Sequence, residues 1–380
     1  MDISEFLHTL PATPRLLGVG EARHFTTELG QARNDLFRHL VEHEGYRSFA
    51  IESDCLLGLV VDEYVRTGEG SLDAVMEHGF SHGFGAAPAN RELVRWMRAY
   101  NEEHEEQLRF HGVDGPLEYW AASPRQALTG LRALLEGPLV DAVVTAEALD
   151  ELLGQDERWS NEATAMDPSQ SIGRSAEATR LRLVADDLVA LLETQAPQLS
   201  PAGRELAELY GRTAVGLLRY HYWMADDSPA RWTRLSALRD AMIAANLIAV
   251  AERGPALVFA SNLHLQRNRT FMSFGEQVLE WWSAGAIAGT RLGDRYAFVA
   301  SAYGTAAGDV PAQDTVEGVL SALPGDRALV DARRLAGEVA GLAPRVSADF
   351  AYFPLDPAHL GQADGVLFLR EVTWPPLPFT

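Results

Sequence analysis

Lysine is absent from this chain. All 32 basic residues among its 380 are therefore arginine. This absence excludes mechanisms that depend on a lysine amine, among them Schiff-base catalysis, a Ser–Lys dyad and the phosphate-binding lysine of a Walker loop. Any chemistry must rest on other side chains.

Cysteine and long apolar runs are nearly as scarce. Cys55 is the single cysteine, which leaves no internal disulfide and no zinc site built from paired cysteines. Residues 1–15 do not combine a basic start with a long apolar stretch, so they predict no signal peptide. No apolar run approaches the ~18 residues that a membrane span needs. We therefore expect a cytoplasmic protein with no membrane partner.

Positive charge is also in short supply. The 53 acidic residues give a net charge of −21, whereas binding to nucleic-acid phosphates requires clustered basic side chains. The sequence therefore argues against a nucleic-acid partner, and we expect a small-molecule substrate. It makes no prediction about the oligomeric state.

The hydrophobic pattern indicates an α/β fold. Short apolar runs bounded by turn residues are typical of buried strands, and segments with helical spacing, such as Thr26–Glu44, lie between them. The predicted strands are Arg15–Gly20, Arg47–Glu52, Leu108–Val113, Ala256–Ser261, Arg295–Ala302, Arg327–Val330 and Gly365–Leu369. We expect a mostly parallel sheet flanked by helices.

The middle of the chain differs from both ends. Residues 124–234 contain long segments rich in Leu, Ala, Glu and Arg, such as Glu177–Glu193, and no convincing strand. We predict that residues 1–123 and 235–380 are two parts of one α/β core. Residues 124–234 are predicted to be a large helical insertion that forms one wall of the active-site cleft.

Polar side chains that can bind or react follow four of the predicted strands. These residues are Glu21, His24, Glu52, Asp114, Asn262 and His264. Ligands of open α/β sheets bind at the carboxyl ends of the strands, so these residues form the candidate site. Each of them alone is equally consistent with an ordinary turn or surface residue.

His24 is the natural general base of this set, because the unperturbed pKa of histidine lies near neutral pH. Glu21 precedes it by three residues, so both side chains can face one pocket. A carboxylate beside an imidazole orients the ring and stabilises the imidazolium. Glu52 could take that part or hold the attacking water. The structural alternatives are a helix-capping acid for Glu21 and a partly buried loop histidine for His24.

Several segments, in chain order, resemble motifs of the erythromycin esterase family. They are Gly18–Phe25, Phe49–Glu52, Trp96–Asn101, Phe110–Asp114, Arg239–Met242, Ala260–His264 and Arg370–Thr373. Glu28 and Arg33, which follow the first segment, belong to the same likeness. The resemblance spans Gly18 to Thr373 but matches the predicted insertion poorly.

The resemblance implies a metal-independent hydrolase of macrocyclic lactones that needs no cofactor. It makes His24 the base that activates water directly, with Glu21 and Glu52 orienting the ring and the water. Arg33 would anchor this acidic cluster or polarise the substrate. His264 would stabilise the oxyanion or protonate the leaving alkoxide, and no covalent acyl-enzyme is needed.

Three residues depart from the family pattern. Ser261 stands where the family often has a histidine, and Arg23 and Phe25 stand where smaller residues are common. These departures leave two options open, a macrolide-like substrate or another natural product. The predicted substrate-binding residues are Arg23, Phe25, Arg33, Asp114, Ser261 and Asn262.

Other interpretations stay open. The segment Gly79–Gly83 fits the GxSxG nucleophile elbow around Ser81, although an elbow follows a strand and residues 72–78 look helical. A non-hydrolytic biosynthetic enzyme could use the same histidine and glutamates for dehydration, cyclisation or acyl transfer, an option that Ser261 keeps open. The histidines and glutamates could also be metal ligands. No tight metal-binding spacing supports this, and we predict no metal.

Overall fold

The computed structural model describes residues 1–118, 121–275 and 277–374. The chain divides into two compact units. The first, called here the α/β unit, comprises Met1–Val113 and Leu247–Thr380; the second, the helical unit, comprises Asp114–Asn246. The helical unit is wider at both ends than the predicted insertion. That the insertion forms a cleft wall stays a prediction.

Nine β-strands occur in the described residues. They are β1 (Leu16–Glu21), β2 (Ser48–Asp54), β3 (Arg109–Asp114), β4 (Ala256–Ser261), β5 (Arg269–Phe274), β6 (Gln277–Trp282), β7 (Tyr296–Ala306), β8 (Arg327–Asp331) and β9 (Gly365–Val372). The predicted strands correspond to β1–β4 and β7–β9. The sequence did not predict the antiparallel hairpin formed by β5 and β6.

Seven of these strands form one sheet in the order β3-β2-β4-β1-β7-β9-β8. β1 pairs in parallel with β4 and β7, β2 with β4, and β7 with β9. β8 pairs antiparallel with β9 at one edge of the sheet. The predicted fold class, a mostly parallel sheet flanked by helices, is confirmed.

Fifteen α-helices occur in the described residues. They are α1 (Ile3–Thr9), α2 (Thr27–His43), α3 (Gly58–Thr67), α4 (Leu72–His78), α5 (Pro88–Glu103), α6 (Arg125–Leu134), α7 (Pro138–Val143), α8 (Ala146–Leu153), α9 (Ala176–Gln195), α10 (Pro201–Met224), α11 (Arg231–Arg253), α12 (Asn262–Leu265), α13 (Ala284–Leu292), α14 (Val316–Ser321) and α15 (Ala332–Glu338). None of the helices in the described ranges is long and apolar enough to cross a membrane.

The core of the α/β unit fixes the carboxyl end of β1. All six residues of this strand are buried. Leu17 and Val19 belong to one hydrophobic cluster with Leu29 and Phe37 of α2 and Val94 of α5. Burial of this apolar area contributes about 25 cal/mol per Å². The last residue of β1 is consequently held in place by the strand and helices behind it.

Gly20 allows a close approach next to this strand end. A Cβ atom at Gly20 would lie 1.9 Å from Oδ1 of Asn262, far inside van der Waals contact. Asn262 uses its amide to bridge to β7, since Nδ2 donates to the Ser301 carbonyl over 2.9 Å and Oδ1 accepts from the Ser301 N–H over 3.1 Å. The glycine therefore makes room for a cross-strand tie at the end of β4.

The helical unit has its own hydrophobic cluster. It contains Leu217 and Met224 of α10 together with Leu235 and Met242 of α11. α10 is capped at its start by Ser200, whose hydroxyl accepts from the Gly203 N–H. The helical prediction for this part of the chain agrees with the helices found there.

Candidate active site

The sheet topology brings three of the predicted residues to one edge. β2, β4 and β1 are neighbours and run parallel, so their carboxyl ends meet. Glu21 at the end of β1 lies in register with Ser261 at the end of β4, and Glu52 lies near the end of β2. β4 leads directly into α12, which carries His264, and the loop after β1 carries His24.

Glu21 and His24 form a direct hydrogen bond. Nδ1 of His24 lies 2.7 Å from Oε2 of Glu21, and because a carboxylate only accepts, Nδ1–H is the donor. The other oxygen of Glu21 accepts from the Phe25 backbone N–H over 3.1 Å. Phe25 has a φ of 65°, in the left-handed region, and this turn directs its N–H to Glu21. In the neutral ring, Nε2 is then the basic nitrogen.

Glu52 lies between the two histidines. Its Oε1 is 3.2 Å from Nε2 of His264 and 3.9 Å from Nε2 of His24. Its Oε2 accepts from the Ser261 backbone N–H over 2.7 Å. Two imidazoles and two carboxylates thus form one continuous cluster.

The two glutamates set the electrostatics of His24. Burial by itself lowers the pKa of His24, but the charges of Glu21 and Glu52 and the hydrogen bond to Glu21 outweigh it, and the pKa is raised above its ordinary value. A positive charge on His264 acts in the opposite direction. The His24 side chain is 38% exposed, whereas both glutamate side chains are 5% exposed. The His24 ring is therefore accessible, and its two acidic partners are buried.

Aromatic rings surround this cluster on one side. The His24 ring meets the Phe84 ring edge-on, with centroids 5.4 Å apart, and Phe25 lies 5.3 Å from Phe84. A cavity of about 210 Å³ is lined by both phenylalanines, Glu21 and Arg33, among other residues. This cavity can receive a small apolar group next to Glu21.

Arg33 is a buried cation held by amides. It is 1% exposed, and its guanidinium donates to Oδ1 of Asn34 and, over 2.8 Å, to Oδ1 of Asn90. Burial lowers the pKa of Arg33 to about 10, although the charge of Glu21 acts to raise it. Arg33 thus adds positive potential near Glu21; its anchoring or substrate-polarising role stays a prediction.

Two predicted substrate-binding residues have their polar groups engaged by the protein. Arg23 is 4% exposed, forms an ion pair with Asp349 and donates to the His24 carbonyl over 2.9 Å. Asn262 bridges to Ser301 as described above. These contacts favour a structural part for both side chains.

Asp114 and Ser261 also make specific contacts. Asp114 belongs to the helical unit, is fully buried and accepts two-pronged hydrogen bonds from Arg239, which favours a structural part. The Ser261 hydroxyl accepts from the Leu263 N–H and caps α12. Its backbone N–H binds Glu52, a contact that a histidine at this position would supply equally well.

The sequence analysis missed several residues that shape this site. Phe84 lies in a 3-10 turn of residues 84–86. Asp349 and Trp374 engage Arg23, since the Arg23 guanidinium carbon lies 3.8 Å from the Trp374 ring centroid. No local pattern links residues so far apart in the chain, and only a known fold reveals their contacts.

The nucleophile-elbow alternative lacks its structural context. The residues before Gly79 form helix α4, not a strand. Ser81 is 1% exposed, and its Oγ lies 2.8 Å from Nδ1 of the adjacent His82 and accepts from the Asp54 N–H. Its hydroxyl is engaged within a buried network instead of being presented at a strand-to-helix turn.

The acidic and imidazole groups do not form a metal site in the part of the chain described. Across residues 1–118, 121–275 and 277–374, no group of three or more His, Cys, Asp or Glu side chains could hold a metal ion. The cluster of His24, Glu21, Glu52 and His264 is instead joined by hydrogen bonds and close contacts between its own members.

Comparison with known proteins gives a consistent result. The family model described as erythromycin esterase matches residues 41–372. The erythromycin esterase type I of Escherichia coli is 23% identical over 319 residues, which cover 77% of this chain and 74% of that protein. The family match begins after β1, so the positions of Glu21 and His24 rest on the geometry above.

Solved structures share the fold. A succinoglycan biosynthesis protein superimposes with a TM-score of 0.73 at 17% identity, over 99% of this chain and 91% of that chain. A mutant of the erythromycin esterase EreC in its open conformation gives a TM-score of 0.70 at 18% identity, over 99% and 96% of the two chains. At such identities the likeness extends to the fold alone.

Proposed function

Because this chain belongs to the erythromycin esterase family, we propose that it cleaves an ester or lactone with a water molecule activated by His24. Family membership supports hydrolase activity in general. One observation supports the finer proposal. The His24 ring is hydrogen-bonded to the buried Glu21 and faces the buried Glu52, which also contacts His264.

The distance between His24 and Glu52 suits a bound water. At 3.9 Å, Nε2 of His24 and Oε1 of Glu52 are too far apart for a direct hydrogen bond. A water that donates one hydrogen to each group would be polarised and aligned by both. His24 removes the proton as the water oxygen attacks the carbonyl carbon, and Glu21 stabilises the imidazolium that forms.

The second half of the reaction uses the proton that His24 has taken up. Attack of the water oxygen yields a tetrahedral oxyanion. His264, whose Nε2 lies 3.2 Å from Oε1 of Glu52, stabilises it in this proposal by donating a ring N–H to the oxyanion. Collapse breaks the bond between the carbonyl carbon and the ester oxygen. The leaving alkoxide takes up the proton that His24 removed from the water, either directly or relayed through His264, so that His24 returns to its neutral form and the products are a carboxylic acid and an alcohol.

The substrate in this proposal is a natural product with an ester or lactone, of macrolide type or smaller. The phenylalanine-lined cavity beside Glu21 supports an apolar group near the reacting carbonyl. No metal or cofactor takes part in the proposed steps. Activity that survives a strong chelator would agree with this, and activity restored only by added metal would contradict it.

The reaction itself can be tested with labelled water. Incubation with a panel of macrolides and smaller lactones in oxygen-18 water should yield a product that has gained one water carrying the label. Failure of every ester and lactone to gain water would overturn the proposed hydrolysis.

The proposed base can be tested by substitution. His24→Asn should lower turnover by about 10²–10⁴-fold, the usual contribution of a general base, while the variant still folds and unfolds cooperatively in urea. His104→Asn changes an exposed histidine stacked on Tyr100 and serves as the matched control. Full activity in the His24 variant would show that another group activates the water.

One observation favours a second candidate function. Ser261 places a helix-capping hydroxyl where the family often has an imidazole. A site with one imidazole fewer suits dehydration, cyclisation or acyl transfer with His24 as the base. In the same labelling experiment, a product that has lost a water would support this alternative.

A further inference from the structure

The loop that carries His24 is held by residues from the end of the chain. This loop, residues 22–26 between β1 and α2, is called here the catalytic loop. The Ala22 N–H donates to the Ser301 hydroxyl over 2.9 Å, and the Phe353 N–H donates to the Ala22 carbonyl over 3.1 Å. These two hydrogen bonds restrain the backbone of the loop, although the imidazole that it carries is 38% exposed.

The start of α2 is tied to the residues after β9. The Thr27 N–H donates to the Thr373 carbonyl over 2.9 Å. Glu28 accepts two hydrogen bonds from Thr373, one from its N–H and one from its hydroxyl, each of 2.7 Å. Both ends of the catalytic loop are therefore anchored to later parts of the chain.

Arg23 connects these anchors to His24. Its guanidinium pairs with Asp349, lies 3.8 Å from the ring centroid of Trp374 and donates over 2.9 Å to the carbonyl of His24. We propose that Arg23, held between Asp349 and Trp374, is a positioning residue that fixes His24 against Glu21 and Glu52. This clamp rests on the proposed function in so far as His24 is the base.

The burial of Arg23 argues against a purely stabilising purpose. Arg23 is 4% exposed and the Asp349 side chain is 17% exposed, so both charges lose hydration. Buried ion pairs are commonly no better for stability than apolar side chains of the same volume. What the ion pair adds is geometry, because the planar guanidinium donates in fixed directions and stacks flat on an indole.

The neighbouring residue needs such restraint. Phe25 holds a φ of 65°, a conformation that a bulky residue adopts only when its surroundings impose it. Its N–H is the second donor to Glu21. Loosening of the clamp would let Phe25 return to an ordinary conformation and would separate His24 from Glu21.

Titration of His24 by NMR tests the clamp without any substrate. Trp374→Leu changes no charge, and it should lower the pKa of His24 towards its ordinary value, since the ring spends less time beside the glutamates. Trp374→Phe keeps an aromatic face and should leave the pKa nearly unchanged. Turnover in Trp374→Leu should fall by about 10- to 100-fold, the effect of a small misplacement of a catalytic group, with little change in KM.

In Arg23→Gln, the direction in which the His24 pKa changes distinguishes a positioning role from a purely electrostatic one. Removing a nearby positive charge would raise the pKa of His24 through Coulomb's law, whereas loss of positioning lowers it. We expect it to fall. Arg109→Gln is the matched control, because it removes an arginine of β3 that forms an ion pair with Asp62 of α3. It should lower the free energy of unfolding and leave the pKa of His24 unchanged.

An unchanged or raised His24 pKa in folded Arg23→Gln and Trp374→Leu proteins would overturn the clamp. If Trp374→Leu does not fold, Arg23→Gln together with Trp374→Phe decides the question. A lowered pKa in variants of a protein that hydrolyses no ester or lactone would retain the clamp and reject the proposed function, so the two failures are distinguishable.

Discussion

Oε1 of Glu52 lies close to Nε2 of both His24 and His264, and Oε2 accepts a hydrogen bond from the Ser261 N–H. In Glu52→Gln the side-chain amide keeps one acceptor oxygen. It can face either the Ser261 N–H or the two imidazoles, and its NH2 group then faces the other as a donor. The negative charge of Glu52, which helps to raise the pKa of His24, is lost as well. Glu52 is therefore the residue on which the most contacts of the site converge.

Glu52→Gln should lower turnover by about 10²–10³-fold, within the range of losses seen when a preorganised charge is removed. Steady-state kinetics measures the loss. Glu106→Gln, which changes an exposed partner of Arg47, is the control. Turnover within a few-fold of the unsubstituted protein would mean that Glu52 only supports the backbone of β4.

With His24 as the proposed base, its raised pKa should set the pH dependence of activity. A base must be unprotonated, so kcat/KM falls as the pH drops through the His24 pKa. Because the glutamates raise this pKa above its ordinary value of 6.5, the acidic limb of the profile should have its midpoint above pH 6.5. A midpoint at or below that value would indicate that another group limits the rate.

Single strands and their ends were the elements most readily predicted from the sequence. Buried parallel strands are nearly continuous apolar runs, and a polar residue directly after such a run marks the strand end where ligands bind. Glu21, Glu52 and His264 were predicted as site residues in this way; the structure brings them together with His24, and their roles stay predictions. The β5–β6 hairpin was missed because polar residues, such as Ser273 and Glu280, interrupt its short apolar runs. Several of its apolar residues, such as Phe271 and Val278, are exposed, so the runs do not mark a buried strand.

A side chain at Gly20, near the end of β1, would clash with the Asn262 side chain. Gly20→Ala places a Cβ 1.9 Å from Oδ1 of Asn262, so the tie between β4 and β7 must move. We expect a loss of about 1–3 kcal/mol in the free energy of unfolding, typical of overpacking. Urea denaturation measures it.

Gly254→Ala is the matched control for that substitution. A Cβ at Gly254 meets no atom within 4 Å, so its effect on stability should be small. Equal stability of the two variants would show that Asn262 moves at little cost.

At the scale of the whole molecule, the contacts that could not be predicted are the long-range ones. Arg23 and Asp349 are 326 residues apart in the chain, and nothing in the local sequence of either indicates the other. The order of the strands, with β4 inserted between β1 and β2, is likewise invisible to periodicity. Family resemblance, by contrast, reaches across the chain because it compares whole arrangements.

The net charge of −21 predicts a response of stability to salt. Self-repulsion between like charges destabilises the compact state, and added salt screens it. Raising the sodium chloride concentration from about 0.01 M to about 0.15 M shortens the screening length from about 30 Å to about 8 Å. The melting temperature should rise by a few degrees at most; a fall would mean that attractive ion pairs dominate.

The titration of the His24 ring, followed by NMR in the intact protein and in Glu21→Gln, tests the central claim most directly. The intact protein should give a pKa above 6.5, and Glu21→Gln should lower it, because the negative charge is lost and one of the two acceptor oxygens that serve His24 and Phe25 is replaced by a donor. A pKa at or below 6.5 in the intact protein, unmoved by the substitution, would contradict the account.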